Sequence, residues 1–269
     1  MKICAECGTK SVAGFRIAKG SDWFLNRAPK TPRPTHRADA ELKIRVEGLK
    51  PGVPLFYFGS KPKGAGQLKI HSRDDAYGSL PNSGVVVPGP DGSAWIYLDC
   101  PQVYYDTDRK GVFSRHFHFT YWDEKEKGWS YSFYTRQVFC DVTQTEAKEM
   151  LRERTHIFIN ALSRKNYEER HIAGSVSVPV GGRVTTDSVK KAIELALPMY
   201  PRLAAAVRNG TTDWKDLPIV LYCYSSECSA AEHLKDKLDR LGINNTWHYT
   251  NGIVAWRGPA ATGPEPSSH

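Results

Sequence analysis

At 269 residues the chain exceeds the ~100–200 residues of one ordinary domain, so two domains are expected. Hydrophobic residues at 40% and charged residues at 25% exclude a wholly disordered, collagenous or coiled-coil chain. The net charge of +8 is uneven, with +6 on residues 1–37, 0 on residues 38–142 and +2 on residues 143–269.

There is no apolar run long enough to span a bilayer, and the start has no apolar stretch behind its lysine, so no membrane partner and no secretory signal are expected. The six cysteines (4, 7, 100, 140, 223 and 228) are unevenly spaced, which suits reduced thiols used for metal or chemistry rather than a disulfide scaffold. A reducing, cytoplasmic setting is the working expectation.

Residues 1–37 read as a basic, proline-containing arm. Arg27, Lys30, Arg33 and Arg37 alternate with Pro29, Pro32 and Pro34, a pattern that stays extended and does not form a helix. Such an arm suits an acidic protein surface or a role as linker or packing strap. A nucleic-acid partner is not favoured, because no aromatic stacking platform accompanies the charge. Cys4 and Cys7 form half of a zinc knuckle, which Cys100 and Cys140 complete only if the fold brings them to the arm; otherwise no cofactor is expected.

Residues 38–142 are expected to be an all-β sandwich or barrel. Leu42–Val46 alternates as a half-buried strand does, and further strands are predicted at 55–58, 68–71, 84–87 and 94–98. Two aromatic runs, 114–122 and 129–139, flank a charged loop and read as a β-hairpin. His116 and His118 fall on the same face of the first run at a spacing that metal sites use, although such a pair also serves structurally.

After Val142 strands and helices alternate, which predicts a small parallel α/β sheet. Thr143 and Glu146 offer a capping pair for a helix over 145–154. Strands are predicted at 156–160, 176–178, 219–222 and 246–249. Helices are predicted at 163–170, from a cap at Asp187 or Ser188 to about 197, and at 229–241. Residues 259–269 read as a flexible tail.

Ligands of such sheets bind beyond the carboxyl ends of the strands. Cys223 stands there, after the strand 219–222 and before the loop Tyr224–Cys228 that feeds a helix. Loop amides and the helix N-terminus favour negative charge, so Cys223 is expected to be a nucleophile with a lowered pKa.

Residues 143–258 resemble a rhodanese domain. The resemblance rests on His171-Ile-Ala-Gly-Ser-Val-Ser-Val-Pro179, on Ile219-Val-Leu-Tyr-Cys-Tyr-Ser-Ser-Glu-Cys228, and on Tyr249-Thr-Asn-Gly-Ile-Val-Ala-Trp256, in that order. It fits the subgroup with a Cys-x4-Cys loop and a first strand ending Asn160-Ala-Leu162. The resemblance implies sulfane-sulfur transfer, from thiosulfate or a thiol persulfide to a thiol or cyanide, through a persulfide on Cys223. It implies Tyr224, Ser225, Ser226, Glu227 and Asn160 as substrate contacts, and the departure at Cys228 leaves that residue able to act as a resolving thiol. Many relatives close the loop with an arginine where this chain has Cys228, which weakens recognition of an anionic donor. The alternative from the same sequence is a rhodanese fold used as a docking module in a larger assembly such as a virus particle, with residues 38–142 and the basic arm binding protein partners.

Overall fold

The computed structural model describes residues 2–4, 10–18, 23–62, 70, 72–106 and 111–264. The chain divides into two compact units, Met1–Cys140 and Asp141–His269. Among the described residues no helix is long and apolar enough to cross a membrane.

The larger sheet of the N-terminal unit is antiparallel and runs Ser11–Arg16, Ser132–Gln137, His116–Asp123, Leu55–Gly59, Ser83–Val86, with Gly128–Trp129 folded back on His116–Asp123. Its end strands do not pair with each other, so the expected barrel does not close. A second sheet joins Lys2–Cys4, Leu42–Val46 and Ala94–Leu98, and a two-stranded ladder joins Tyr104–Asp106 to Gly111–Phe113. The short helix Arg73–Tyr77 interrupts the strands, capped by Ser72, whose side chain accepts from the Asp75 amide. Of the strand expected at 68–71, Ile70 alone is described; it bridges to Tyr104.

Aromatic rings fill this unit because the central strand His116–Asp123 is buried on both faces over its first six residues. Phe56, Phe58, Tyr77, Trp129 and Phe133 belong to one buried cluster. Strands rich in such rings sit well on a pleated, covered surface.

The arm reading of residues 1–37 needs correction. Ser11–Arg16 is a sheet strand, with Phe15 stacked on Phe133, and Trp23–Arg27 is a short helix. The proline-rich stretch that follows is a packing strap. The Trp129 indole donates to the Pro29 carbonyl, Thr35 exchanges two bonds with Val85, and Arg37 pairs with Asp99 and donates to Asn82. Proline keeps the strap extended, and its few remaining amides and side chains tie it down.

A second correction concerns the cysteines. Cys100 and Cys140 are joined in a disulfide with Cα atoms 5.9 Å apart. The ends of the strands Ala94–Leu98 and Ser132–Gln137 lead them together, so they are neither reduced thiols nor the missing half of a zinc knuckle. Cys7 lies outside the described residues, as does the side chain of Cys4.

The C-terminal unit is built on a parallel sheet ordered Val176–Ser177, Ile157–Asn160, Ile219–Tyr222, Thr246–Tyr249. All four residues of each of the last three strands are buried, as expected of a sheet covered on both faces. Helices Gln144–Arg152, Arg164–Glu169, Thr186–Ala196, Pro201–Arg208 and Ala230–Arg240 accompany it. The first starts at the expected capping box of Thr143 and Glu146. The third starts earlier than expected, because Thr185 accepts from the Ser188 amide and the Ser188 side chain answers it. The helix 201–208 was not read from the sequence. The tail reading is also corrected up to residue 264: Ala260–Ala261 pairs with His171–Ile172, and the Gly263 amide donates to Glu168.

Candidate active site

The strand Ile219–Tyr222 delivers Cys223 to the carboxyl edge of the parallel sheet, and the chain then turns through Tyr224–Ser229 into the helix Ala230–Arg240. Ser229, at the cap position, makes no side-chain bond to the helix start. The first helical amides are therefore free to serve another acceptor. Amides of Tyr224 and Ala231 are directed at the Cys223 sulfur, and those of Tyr224, Ser225 and Ala230 at the Cys228 sulfur. This is an anion-stabilising cradle at a helix N-terminus, holding two thiols.

Both sulfurs belong to one hydrogen-bonded pair. Cys223 is fully buried, and its Sγ donates to the Cys228 carbonyl at 2.8 Å, with the Ser225 carbonyl at 3.8 Å. Burial, and then the neighbouring Cys228, push the Cys223 thiol up to about 12. Burial also works against ionisation of Cys228, but the bond from Cys223 and the amides of Tyr224, Ala230 and Ser225 outweigh it and bring that thiol below its ordinary value. This corrects the expectation of a lowered pKa at Cys223. Two thiols in contact cannot both ionise cheaply, so the first proton to leave the pair is that of the less buried partner, Cys228.

The loop is fixed from the far side by a turn about thirty residues downstream. Ile253 donates to the Cys223 carbonyl at 2.9 Å and Val254 to the Tyr224 carbonyl at 3.1 Å. Gly252, at φ 62°, allows this approach: a Cβ there would lie 2.4 Å from the Tyr224 carbonyl carbon and oxygen. Trp256 meets Tyr249 edge to face behind the turn. The segment 171–179 buttresses the strand itself. The Tyr222 hydroxyl accepts from the Ile172 amide at 3.0 Å and bonds the Ser175 hydroxyl at 2.7 Å, and burial raises its pKa to about 12.

The remaining sequence-predicted residues divide into two groups. Tyr224, Ser226 and Glu227 are exposed on the loop and Ser225 is half-buried, all beside the two thiols. Asn160 is buried on the neighbouring strand, in register with Tyr222, and its side-chain oxygen accepts from the Leu162 amide. That bond shapes the end of the strand. The amides of Ala230 and Ala231 were missed by the sequence reading, which stopped at Cys228; the signal available was a helix start lacking a capping side chain.

The family model of the rhodanese-like domain matches residues 143–259. The C-terminal unit is a rhodanese-like domain. The match does not reach the N-terminal unit. Solved structures similar to the chain include the BH2092 protein from Bacillus halodurans, at 18% identity over 46% of this chain and 77% of that one, with a TM-score of 0.35. They also include the Alr3790 protein from Anabaena sp., at 19% identity over 45% and 79%, with a TM-score of 0.31. A rhodanese with anions from E. coli aligns at 18% identity over 40% and 99%, with a TM-score of 0.25. No curated protein matches the chain.

Proposed function

We propose that the rhodanese-like domain moves sulfane sulfur through a persulfide on Cys223. The observation that carries this reading is the pair Cys223 and Cys228 in one cradle of backbone amides at a helix start. The charge of the pair passes to Cys223 when the shared proton moves to Cys228. The Cys223 thiolate then attacks the outer sulfur of a donor persulfide. A new S–S bond forms on Cys223, the donor S–S bond breaks, and the donor leaves as its thiolate. An acceptor thiolate attacking that same outer sulfur takes it away and returns Cys223 to the thiolate. The cradle stabilises the anionic sulfur at both stages.

Cys228 offers a second exit. Its thiolate attacks the inner sulfur of the Cys223 persulfide, forming a Cys223–Cys228 disulfide and expelling hydrosulfide, after which an external thiol must reduce the disulfide. The loop has no arginine, so a thiol persulfide suits it better than thiosulfate. A pure docking module has no use for an amide-lined pair of thiols.

Intact-mass measurement of the full chain after incubation with a persulfide donor tests the proposal. Wild type should gain one sulfur. Cys223→Ser should gain none, and Cys228→Ser should load and hold its sulfur for longer. Loading by Cys223→Ser but not by Cys228→Ser would reverse the roles and overturn it.

A further inference from the structure

The N-terminal unit gathers four donor atoms that sulfur transfer does not use. His116 and His118 lie on one face of the strand His116–Asp123, Tyr77 ends the helix Arg73–Tyr77, and Tyr104 opens the strand Tyr104–Asp106. All four are buried, at 5%, 7%, 0% and 3% exposure. The two Nε2 atoms are 3.1 Å apart, and the Tyr77 and Tyr104 hydroxyls stand 3.2 and 3.4 Å from the His116 Nε2 and 3.2 Å from each other.

Four ligands ~2.0 Å from a tetrahedral ion stand ~3.3 Å from one another, and four of the six separations among these atoms lie between 3.1 and 3.4 Å. A proton count points the same way. His116 Nδ1 sits 2.5 Å from the Ser114 carbonyl and must donate to it, so the Nε2 of the neutral ring carries a lone pair. His118 Nε2 and two hydroxyls converge on that lone pair, and the Tyr77 hydroxyl also donates to that of Tyr104. A cation at that point would take a lone pair from each of the four atoms. The second shell is that of a ligating histidine pair: His116 Nδ1 is held by a backbone carbonyl, and His118 Nδ1 is bonded to Thr135 Oγ1 at 2.9 Å. Phe15, Phe58 and Phe113 pack against the two imidazoles.

We infer that His116, His118, Tyr77 and Tyr104 form a tetrahedral site for a divalent transition-metal ion, zinc by its geometry. Among the described residues no three of His, Cys, Asp and Glu gather to hold an ion, so the site depends on the two phenols. On binding, each phenol gives its proton to solvent and becomes a phenolate. Two phenolates and two neutral imidazoles cancel the charge of a divalent ion, as an apolar setting requires. Imidazole and phenolate oxygen suit zinc better than the soft cuprous ion.

The test uses the full chain stripped with chelator and titrated with zinc. Wild type should show the ultraviolet difference spectrum of two ionised tyrosines at one equivalent of the zinc that produces it. Tyr77→Phe and Tyr104→Phe keep the ring contacts while removing one oxygen each. Each should halve that signal and weaken the zinc binding that produces it by about tenfold or more. His118→Gln should do the same to affinity while leaving both hydroxyls. Absence of a tyrosine-ionisation signal in wild type would overturn the inference. So would zinc held equally tightly by wild type and all three variants, which would assign the metal to thiols elsewhere.

Discussion

Replacing Gly252 with alanine perturbs the thiol cradle without touching a thiol. The added Cβ would fall 2.4 Å from the Tyr224 carbonyl carbon and oxygen and 2.6 Å from the Ser225 amide nitrogen. Reaching the shortest tolerated Cβ contact requires a shift of about 0.6 Å, and ordinary contact about 1 Å. The atoms that must move are backbone, already held by the bonds from Ile253 and Val254. Overpacking of ~1–3 kcal/mol adds to ~1–2 kcal/mol for alanine in the left-handed region, about 2–5 kcal/mol in all. The displaced segment carries the Tyr224 amide, which serves both sulfurs, so persulfide loading should slow by about tenfold to a hundredfold. Single-turnover loading followed by intact mass, beside a melting curve, measures both effects. Gly181→Ala is the control, since nothing lies within 4 Å of its Cβ position. A Gly252→Ala protein that loads sulfur and melts like wild type would refute the reasoning.

The shared charge of the thiol pair predicts an order of alkylation. As pH rises, Cys228, brought below its ordinary value, should be alkylated first and Cys223, pushed up to about 12, later, as peptide mapping would show; simultaneous labelling would contradict the assignment. In Cys228→Ser the neighbour's raising effect is gone, so the Cys223 thiolate absorbance should appear at lower pH than in wild type, and an unmoved curve would show that burial acts alone. Removing the Cys100–Cys140 bridge, which spans 40 residues, should cost about 4 kcal/mol by loop entropy, read from the urea midpoint of the N-terminal unit. Thr143→Ala should cost ~1 kcal/mol by losing the capping box, with sulfur loading unchanged.

Much of the rhodanese-like domain could be read in the sequence because its signals are local. Apolar runs at 157–159 and 219–222 marked two of the buried parallel strands, Thr143 and Glu146 marked a helix start, and Cys223 stood between a strand and a loop. The central hairpin of the N-terminal unit was legible for the same reason, since two aromatic runs with a charged turn between them can bury their rings only by pairing. Short elements lacked such periodicity. Ser11–Arg16 was hidden inside a basic segment because its place in the sheet is set by Ser132–Gln137, more than a hundred residues away.

The sequence by itself determined the type and order of most elements in the C-terminal unit, the helix Pro201–Arg208 and the strand Ala260–Ala261 excepted, and the presence of a cysteine at the mouth of its sheet, because these follow from periodicity and chain order. Tertiary structure decided where the charge of the thiol pair rests, since burial of Cys223 opposes the amides that favour its ionisation. It also decided which distant strand ends join Cys100 to Cys140, and why position 252 has no room for a side chain. The meeting of Tyr77, Tyr104, His116 and His118 belongs to the same class. Two of those residues share a strand face that the sequence displayed, but the phenols arrive from a helix and another strand, and side chains that far apart along the chain are brought within 3.4 Å only by the packing of the whole unit.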